Sequence, residues 1–233
     1  MISFARRSTA TEWLDDADDP AALDHYLRDL ARLNRAMLGY QPIMRWLQHA
    51  LPPQTTTRSL TLLDIGCGSG DLLRAIHRWA RRRGIALRLV GIDISAEIIA
   101  IARGITAPDS GIEYICEDVR DWRPPFPVDF IVASLLTHHL ADGAIIALLR
   151  WMHAQARRGW IVCDLQRHAV PYHAIGLAGR VLQVQPMVIS DGRISVLRAL
   201  TRAEWRSLCA SAGLVDADVA WFLFRLVISR LRG

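Results

Sequence analysis

Short apolar runs alternate with amphipathic segments from residue 60 onward. The apolar runs have the length of buried strands, and the segments between them repeat apolar residues at helical spacing. This alternation indicates right-handed strand–helix–strand units on a parallel sheet. The predicted strands are 60–65, 87–93, 112–117, 128–136 and 160–165, and the predicted helices between them are 71–83, 96–103 and 142–157.

The C-terminal part of the chain continues the pattern. Residues 168–184 have helical periodicity, although two glycines interrupt it. A capping box at Thr201–Glu204 predicts a helix to about residue 212. Two final apolar runs, 215–220 and 222–229, complete the sheet with one antiparallel edge strand. We therefore predict a Rossmann-like α/β fold with a seven-stranded, mostly parallel sheet and helices on both faces.

Two helices are predicted ahead of the sheet. An Asp-Pro pair caps a helix over 20–38, in which leucines recur at helical spacing. A second apolar stripe predicts a helix over 42–51, and the segment PPQTTTR (52–58) is typical of a linker. The chain then divides into an N-terminal helical cap with its linker, 1–58, and the sheet domain, 59–233.

The segment LLDIGCGSGD (62–71) joins a buried strand to a helix through a glycine-rich turn. Gly66, Gly68 and Gly70 have no Cβ atoms, so the chain can turn sharply there and a ligand can lie against backbone amides. An open α/β sheet places nucleotide-like ligands at this position. The alternative is a tight strand-to-helix turn with no ligand.

The next strand ends in Asp93, 23 residues beyond Gly70. This is close to the offset of roughly 20 residues at which an acid meets ribose hydroxyls. Asp93 is alternatively a helix N-cap or a turn acid, although Ser95 could fill the cap role. A dinucleotide fingerprint G-x-G-x-x-G would need glycine at position 71, where the chain has Asp71. The glycine spacing therefore argues against NAD.

These motifs resemble those of the class I S-adenosylmethionine-dependent methyltransferases. The first family motif, an acid followed by G-x-G-x-G, is matched from Asp64 onward, and the second by Asp93. The third is matched by Asp118, which in the family lies beside the adenine amino group. The resemblance covers about 60–230 and implies S-adenosylmethionine as cofactor. The cofactor residues that it implies are Asp64, Gly66, Cys67, Gly68, Gly70, Asp93, Ile94, Asp118, Val119 and Ser134.

The loop after the fourth strand, SLLTHHLAD (134–142), is where this family meets its substrate. Enzymes that methylate the amino groups of nucleic-acid bases carry an Asn/Asp-Pro-Pro-aromatic motif there, and this loop has no proline. His138 and His139 are candidate catalytic bases for a phenolic or enolic proton, with His139 preferred. The alternative is structural: one histidine packs against the strand and the other caps the next helix.

Six further residues are candidate substrate contacts. Three follow the fifth strand, where family members place residues of the substrate pocket, and three lie in the helical cap among apolar side chains. Solvent exposure is the alternative for each of the cap residues. Asp164 and Arg167 are interpreted as a local ion pair. The six candidates are Asn34, Arg35, Tyr40, His168, Tyr172 and His173.

The composition bears on the remaining classes of function. The net charge of +5 and the pI of about 9.5 permit a nucleic-acid partner, but the chain has no lysine, and its densest basic cluster, 81–83, ends a predicted helix. The four cysteines form no C-x-x-C pair, so we expect buried free thiols and no metal site. We find neither a membrane-spanning run nor a secretory signal, and expect a cytoplasmic protein.

The sequence thus predicts a methyltransferase of small, fairly apolar acceptors, acting at oxygen or an activated carbon of a phenolic, quinone or polyketide-like metabolite of secondary metabolism. Two alternatives stay open: a methyltransferase of RNA or another nucleic acid, and a non-catalytic protein that binds S-adenosylmethionine. The acceptor atom and the oligomeric state are left open.

Overall fold

The computed structural model describes residues 2–16, 19–51 and 59–232, so the predicted linker 52–58 lies outside the described residues. Its centre is one seven-stranded sheet with the order β3-β2-β1-β4-β5-β7-β6. Strand β7 runs antiparallel to both of its neighbours, and the other pairs are parallel. The strands are β1 Leu60–Ile65, β2 Leu87–Asp93, β3 Glu113–Cys116, β4 Val128–Ser134, β5 Ala156–Leu165, β6 Asp218–Phe222 and β7 Arg225–Leu231.

Eight α-helices are present in the described part of the chain. The caps predicted from sequence are confirmed: the Asp19 side chain accepts from the Ala21 amide, and Thr201 and Glu204 form the capping box. The helices are α1 Pro20–Ala36, α2 Gln41–Ala50, α3 Asp71–Arg83, α4 Ala96–Ile105, α5 Asp142–Gln155, α6 Ala169–Val181, α7 Pro186–Arg198 and α8 Arg202–Ser211.

The sheet is covered on both faces, as predicted. Every residue of β1 is buried, and its consecutive leucines enter opposite layers: Leu62 packs with α2 and α3, and Leu63 packs with α5 and α8. A third apolar cluster joins α1 to α6 and α7 at Leu165, where β5 ends. Helix α1 therefore lies over the carboxyl edge of the sheet, where a parallel sheet places its ligands.

Three expectations need correction. The antiparallel strand is β7, one position inside the sheet, and β6 forms the edge. Helix α7 was missed because its β-branched residues, its two serines and Gly192 are poor helix formers. A Cβ on Gly192 would stand 2.9 Å from Ile175 of α6, so close helix packing stabilises a sequence of low propensity. Cys116 is exposed, although the other three thiols are buried as expected.

The basic cluster at 81–83 occupies the last turn of α3 and is exposed, as a solvated helix end should be. None of the helices in the described part of the chain combines the length and the apolarity that crossing a lipid bilayer requires. The boundary between cap and sheet domain at residue 58 stays a prediction.

Gly70→Ala should destabilise the fold more than Gly84→Ala. Both glycines have positive φ, +75° and +65°, so each substitution costs about 1–2 kcal/mol of backbone strain. A Cβ at position 70 would also stand 2.6 Å from Tyr114 Cζ, whereas nothing lies within 4 Å of one at position 84. We expect Gly70→Ala to lower the free energy of unfolding by about 3 kcal/mol or more. Urea denaturation measures both values, and equal losses would contradict the steric argument.

Candidate active site

The glycine loop turns back onto the end of β2. Gly66, Gly68 and Gly70 all have positive φ, which L-residues with side chains adopt at a cost. The amides of Gly66 and Cys67 donate to the carbonyl of Ile92, 2.9 and 3.1 Å away. A Cβ on Gly68 would meet nothing within 4 Å, so this residue presents bare backbone to open space.

Asp93 holds the loop from the β2 side. One carboxylate oxygen accepts from the amide of Gly68 at 3.0 Å, and the other from the amide of Ser95 at 3.2 Å. Ser95, whose hydroxyl accepts from the amide of Ile98, is the N-cap of α4. The N-cap interpretation of Asp93 is therefore wrong, whereas its bond to the amide two residues ahead is that of a turn acid, the other structural alternative.

Two cavities meet at this loop. The glycine-loop cavity, about 450 Å³, extends from the loop to the underside of α1, and the Asp118 cavity, about 370 Å³, extends past Asp118 and Val119 to α5. Together they form a continuous groove along the carboxyl edges of β1, β2 and β4. The residues that line both cavities are Gly66, Asp93, Ile94, Leu136 and Leu140.

The glycine-loop cavity is acidic. Asp15, Asp64, Asp71 and Asp93 are in its wall, and no arginine is among the described residues that line it. Burial raises the pKa of Asp64, Asp71 and Asp93, because a carboxylate loses hydration there. A cationic ligand would stabilise these ionised carboxylates, whereas a pyrophosphate would repel them.

A third, smaller cavity of about 90 Å³ lies deeper beneath α1, and we call it the inner cavity. Glu12, His138, Ser195 and Arg225 contribute polar groups to its otherwise mostly apolar wall. His139 lines both the inner and the glycine-loop cavities. The other residues shared by these two cavities are Leu14, Leu30, Asn34 and Leu135.

The loop after β4 is held by Asp164 at the end of β5. The Asp164 carboxylate accepts from Nδ1 of His138 at 2.7 Å, from the His138 amide at 3.0 Å and from Thr137 Oγ1 at 2.5 Å. These donors hold the pKa of Asp164 well below its usual range, against the effect of burial. Burial opposes charge on His138, but the carboxylates of Asp164 and Glu12 outweigh it and raise the pKa of the imidazole.

The expected ion pair between Asp164 and Arg167 does not form. Arg167 instead donates to Glu204 at 2.5 Å and to two backbone carbonyls. Its guanidinium points toward α8 because the donors of the β4 loop already occupy Asp164.

His139 is the histidine that reaches the cavities. Its Nδ1 lies 3.0 Å from Asp15 Oδ1, and its Nε2 lies 3.9 Å from Glu12 Oε2. Burial, together with the positive charges of His138 and Arg198, lowers the pKa of His139 to about 4. Neither histidine caps α5, whose N-cap is Ala141. The structural alternative holds for His138. Its ring is bonded to Asp164 of β5, whereas the expected contact was with β4.

Glu12 is a site residue that sequence reasoning missed. Its carboxylate accepts from Ser195 Oγ at 2.9 Å, and burial raises its pKa. The ligating atoms of Glu12, His138 and His139 lie within 4.8 Å of one another, a set of nitrogen and oxygen donors that the sequence expectation of no metal did not anticipate. No motif marks Glu12, because it stands in a short polar segment far from the histidines in sequence.

The three substrate-contact candidates in the helical cap differ in burial. Asn34 is buried in the wall of both neighbouring cavities, and Tyr40 lines the glycine-loop cavity with a buried hydroxyl that has no hydrogen-bond partner among the described residues. For these two the exposed alternative is wrong. Arg35 is exposed and outside the described cavity walls, as that alternative foresaw.

The candidates after β5 do not join the site. His168 accepts from the Val170 amide at 3.1 Å and caps α6, Tyr172 packs edge-on against Phe4, and His173 is exposed. None of the three lines the inner, the glycine-loop or the Asp118 cavity, so their role as substrate contacts stays a prediction without support from these cavities.

Sequence comparison identifies the same family as the motifs. A family model described as a methyltransferase domain matches residues 62–159. The trans-aconitate 2-methyltransferase of Streptomyces avermitilis is 31% identical over 207 residues, covering 71% of this chain and 75% of that protein. That of Mycobacterium tuberculosis is 29% identical over 118 residues, covering 50% of this chain and 41% of the relative's length.

Two solved structures share the fold. The plantazolicin methyltransferase BpumL, in complex with a monoazolic desmethylPZN analog and SAH, has a TM-score of 0.64 at 18% identity and covers 91% of this chain and 77% of its own. Human N-acetylserotonin methyltransferase in complex with SAM has a TM-score of 0.60 at 16% identity, and the match covers 92% of this chain and 57% of that one.

The groove suits the cofactor found in these two complexes. Asp93 lies where its two halves meet, and bare backbone at Gly68 faces the half formed by the glycine-loop cavity. The acidic wall complements a sulfonium and an ammonium group. The match to the Streptomyces protein extends over most of both chains. The chain belongs to the class I S-adenosylmethionine-dependent methyltransferases.

Proposed function

We propose that this protein methylates an oxygen of a small, mostly apolar phenol or enol that binds in the inner cavity beneath α1. The observation that carries the proposal is the position of His139, in the wall shared by the inner cavity and the acidic glycine-loop cavity. An acceptor hydroxyl beside His139 thus lies at the boundary between the acceptor and cofactor spaces. An enol held there could also react at its activated carbon.

The chain's own groups divide the work of holding the cofactor. Asp93 receives the ribose hydroxyls, and the wall around Asp118 and Val119 receives the adenine. Asp64 and Ser134 belong to the cavity half that receives the amino-acid end. Bound S-adenosylmethionine supplies a methyl group on a positively charged sulfur, which an oxygen nucleophile can displace directly.

His139 takes the acceptor proton. Its Nδ1–H donates to Asp15, which leaves the Nε2 lone pair free for the hydroxyl proton. The imidazole is neutral at physiological pH because its pKa is lowered. Asp15, 3.0 Å from the ring, partly offsets the burial and the neighbouring positive charges that disfavour the imidazolium.

His138 is a positioning residue in this proposal. Its ring is bonded to Asp164 and lies 4.3 Å from the ring of His139, centroid to centroid. Leu14, Leu30 and Leu135 separate the reacting oxygen from solvent, and an aligned pair of reactants in a dry site supplies most of the rate.

A small acceptor is favoured over a nucleic acid. The inner cavity is roofed by α1 and holds only about 90 Å³. The exposed arginines of 81–83 lie at the far end of α3, away from the glycine loop that begins this helix. The Streptomyces relative is also named for a small acceptor. Release of S-adenosylhomocysteine with any small acceptor would exclude the non-catalytic alternative.

Asp93→Ala should weaken S-adenosylhomocysteine binding by about 1.5–3 kcal/mol, because the ribose hydroxyls lose a charged acceptor. Calorimetry measures the affinity, with Asp109→Ala, an exposed carboxylate outside the cavities, as control. A modest loss of melting temperature is expected, since Gly68 loses its partner. Unchanged affinity with a collapsed melting temperature would make Asp93 structural, and binding of NAD would overturn the cofactor assignment.

The preference for S-adenosylmethionine over S-adenosylhomocysteine should grow as the pH rises. The two ligands differ by the methyl group and its sulfonium charge. Asp64, Asp71 and Asp93 have raised pKa values, so these carboxyls become ionised only at a higher pH than ordinary ones. As the pH rises and they ionise, they attract the sulfonium charge more strongly. The ligand-free fold, for the same reason, loses stability as the pH rises through these pKa values. Calorimetry between pH 5.5 and 8 measures the ratio of dissociation constants, and a constant ratio would refute the electrostatic argument.

His139→Gln should lower kcat by about 10²–10⁴-fold with phenolic acceptors and leave S-adenosylhomocysteine affinity unchanged. Asp15→Asn should give a smaller loss, and His173→Gln, an exposed histidine, none. Because the pKa of His139 is lowered to about 4, the wild-type rate should stay constant from pH 8 to about pH 5 and should decrease at lower pH.

Two outcomes would redirect the assignment. If His139→Gln retained the wild-type kcat, His139 would not be the catalytic base. Loss of activity in EDTA, restored by a divalent cation, would assign the cluster of Glu12, His138 and His139 to a metal instead.

A further inference from the structure

Arg225, the first residue of β7, is a buried cation without an anionic partner. Its side chain belongs to a residue that is 5% exposed. Nη2 donates to Oδ1 of Asn34 at 2.5 Å, whereas Nη1 is buried and has no hydrogen-bond partner among the described residues. The ion pairs found in the described part of the chain do not include Arg225.

An unpaired buried charge is costly, and Arg167 shows how such a charge is compensated in this protein. Arg167 is buried to a similar extent, yet its guanidinium donates to Glu204 and to the carbonyls of Phe4 and Ala199. Removing a guanidinium from water without such compensation is strongly unfavourable. The incomplete bonding of Arg225 therefore calls for a ligand that completes it.

The surroundings of Arg225 suit a ligand. Both Arg225 and Asn34 line the inner cavity, which His139 also lines. Because Oδ1 of Asn34 faces the guanidinium, its amide nitrogen is left as a second donor. Gly39 packs closely on this pair, since a Cβ there would stand 2.8 Å from Nη2 of Arg225. The turn between α1 and α2 thus fixes both donors in the cavity wall.

We propose that Arg225 and Asn34 bind a carboxylate of the methyl acceptor. The inference rests on the proposed function and adds the substrate class: a phenolic or enolic acid whose hydroxyl meets His139 while its carboxylate meets Arg225. A monoanion fits because the inner cavity is small and Arg225 is the only arginine among the described residues that line it. The apolar remainder of the wall, including Leu33 and Ile175, packs against the body of the acceptor.

Stability separates this role from a structural one. A ligand-binding Arg225 carries an unpaired charge in the empty protein, so Arg225→Met should leave the melting temperature equal to or above the wild-type value. If Arg225 instead served as a latch between β7 and α1, the same variant would melt several degrees lower, and the proposal would be overturned. Arg167→Met is the matched control and should melt clearly lower, because it leaves Glu204 and two carbonyls without their donor.

Binding gives the direct test. With saturating S-adenosylhomocysteine, benzoate should bind the wild type at least tenfold more tightly than benzamide, its neutral analogue. The preference should disappear in Arg225→Met and persist in Arg230→Met, which alters an arginine of the same strand that pairs with Asp216. Equal binding of the two probes, binding of neither, or a preference that survives in Arg225→Met would overturn the proposal.

The proposed function and the carboxylate site can be refuted separately. Wild-type protein that does not bind S-adenosylhomocysteine would refute the proposed function. Protein that binds it normally and methylates neutral phenols as fast as phenolic acids would refute only the carboxylate site.

Discussion

The carboxylate of Asp164 holds the loop that carries both histidines of the candidate site. Placed at the end of β5, it accepts from Thr137, from both the amide and the ring of His138, and from the amide of Leu165. These donors tie the loop after β4 to the neighbouring strand and compensate the burial of the charge. The position of His139, one residue further along the same turn, depends on this anchor. Leu135, with a φ of +56°, pays a local strain to enter the turn.

Charge separates the two halves of the site. The space for the cofactor is lined by carboxylates, which suit a sulfonium, while the inner cavity combines Glu12 with the cation of Arg225. His139 stands between them and is neutral in its resting state. In the proposed reaction, the proton taken from the acceptor becomes positive charge on His139, whose Nδ1 lies 3.0 Å from Asp15 Oδ1.

The site is completed by parts of the chain that are remote from the cofactor motifs. Asp191 of α7 accepts from the amides of Trp13 and Leu14 and from the hydroxyl of Tyr26, and so fixes the N-terminal segment and α1 together. Glu12 and Asp15 reach the histidines through this fixation. Helix α1 lines both the inner and the glycine-loop cavities, so the N-terminal segment and α1 belong to the candidate site.

The sequence by itself determined the strands around the glycine loop, helix α3, the helix caps and the cofactor family. These features follow from local chemistry: apolar periodicity, cap side chains and glycines without Cβ atoms act within a few residues of themselves. Only the tertiary structure decided that Asn34 is buried, that His168, Tyr172 and His173 lie outside the walls of the three cavities, that α7 is a helix, and that Glu12 and Arg225 line the inner cavity. Each of those outcomes depends on contacts between segments far apart in the chain, and no local pattern encodes such contacts.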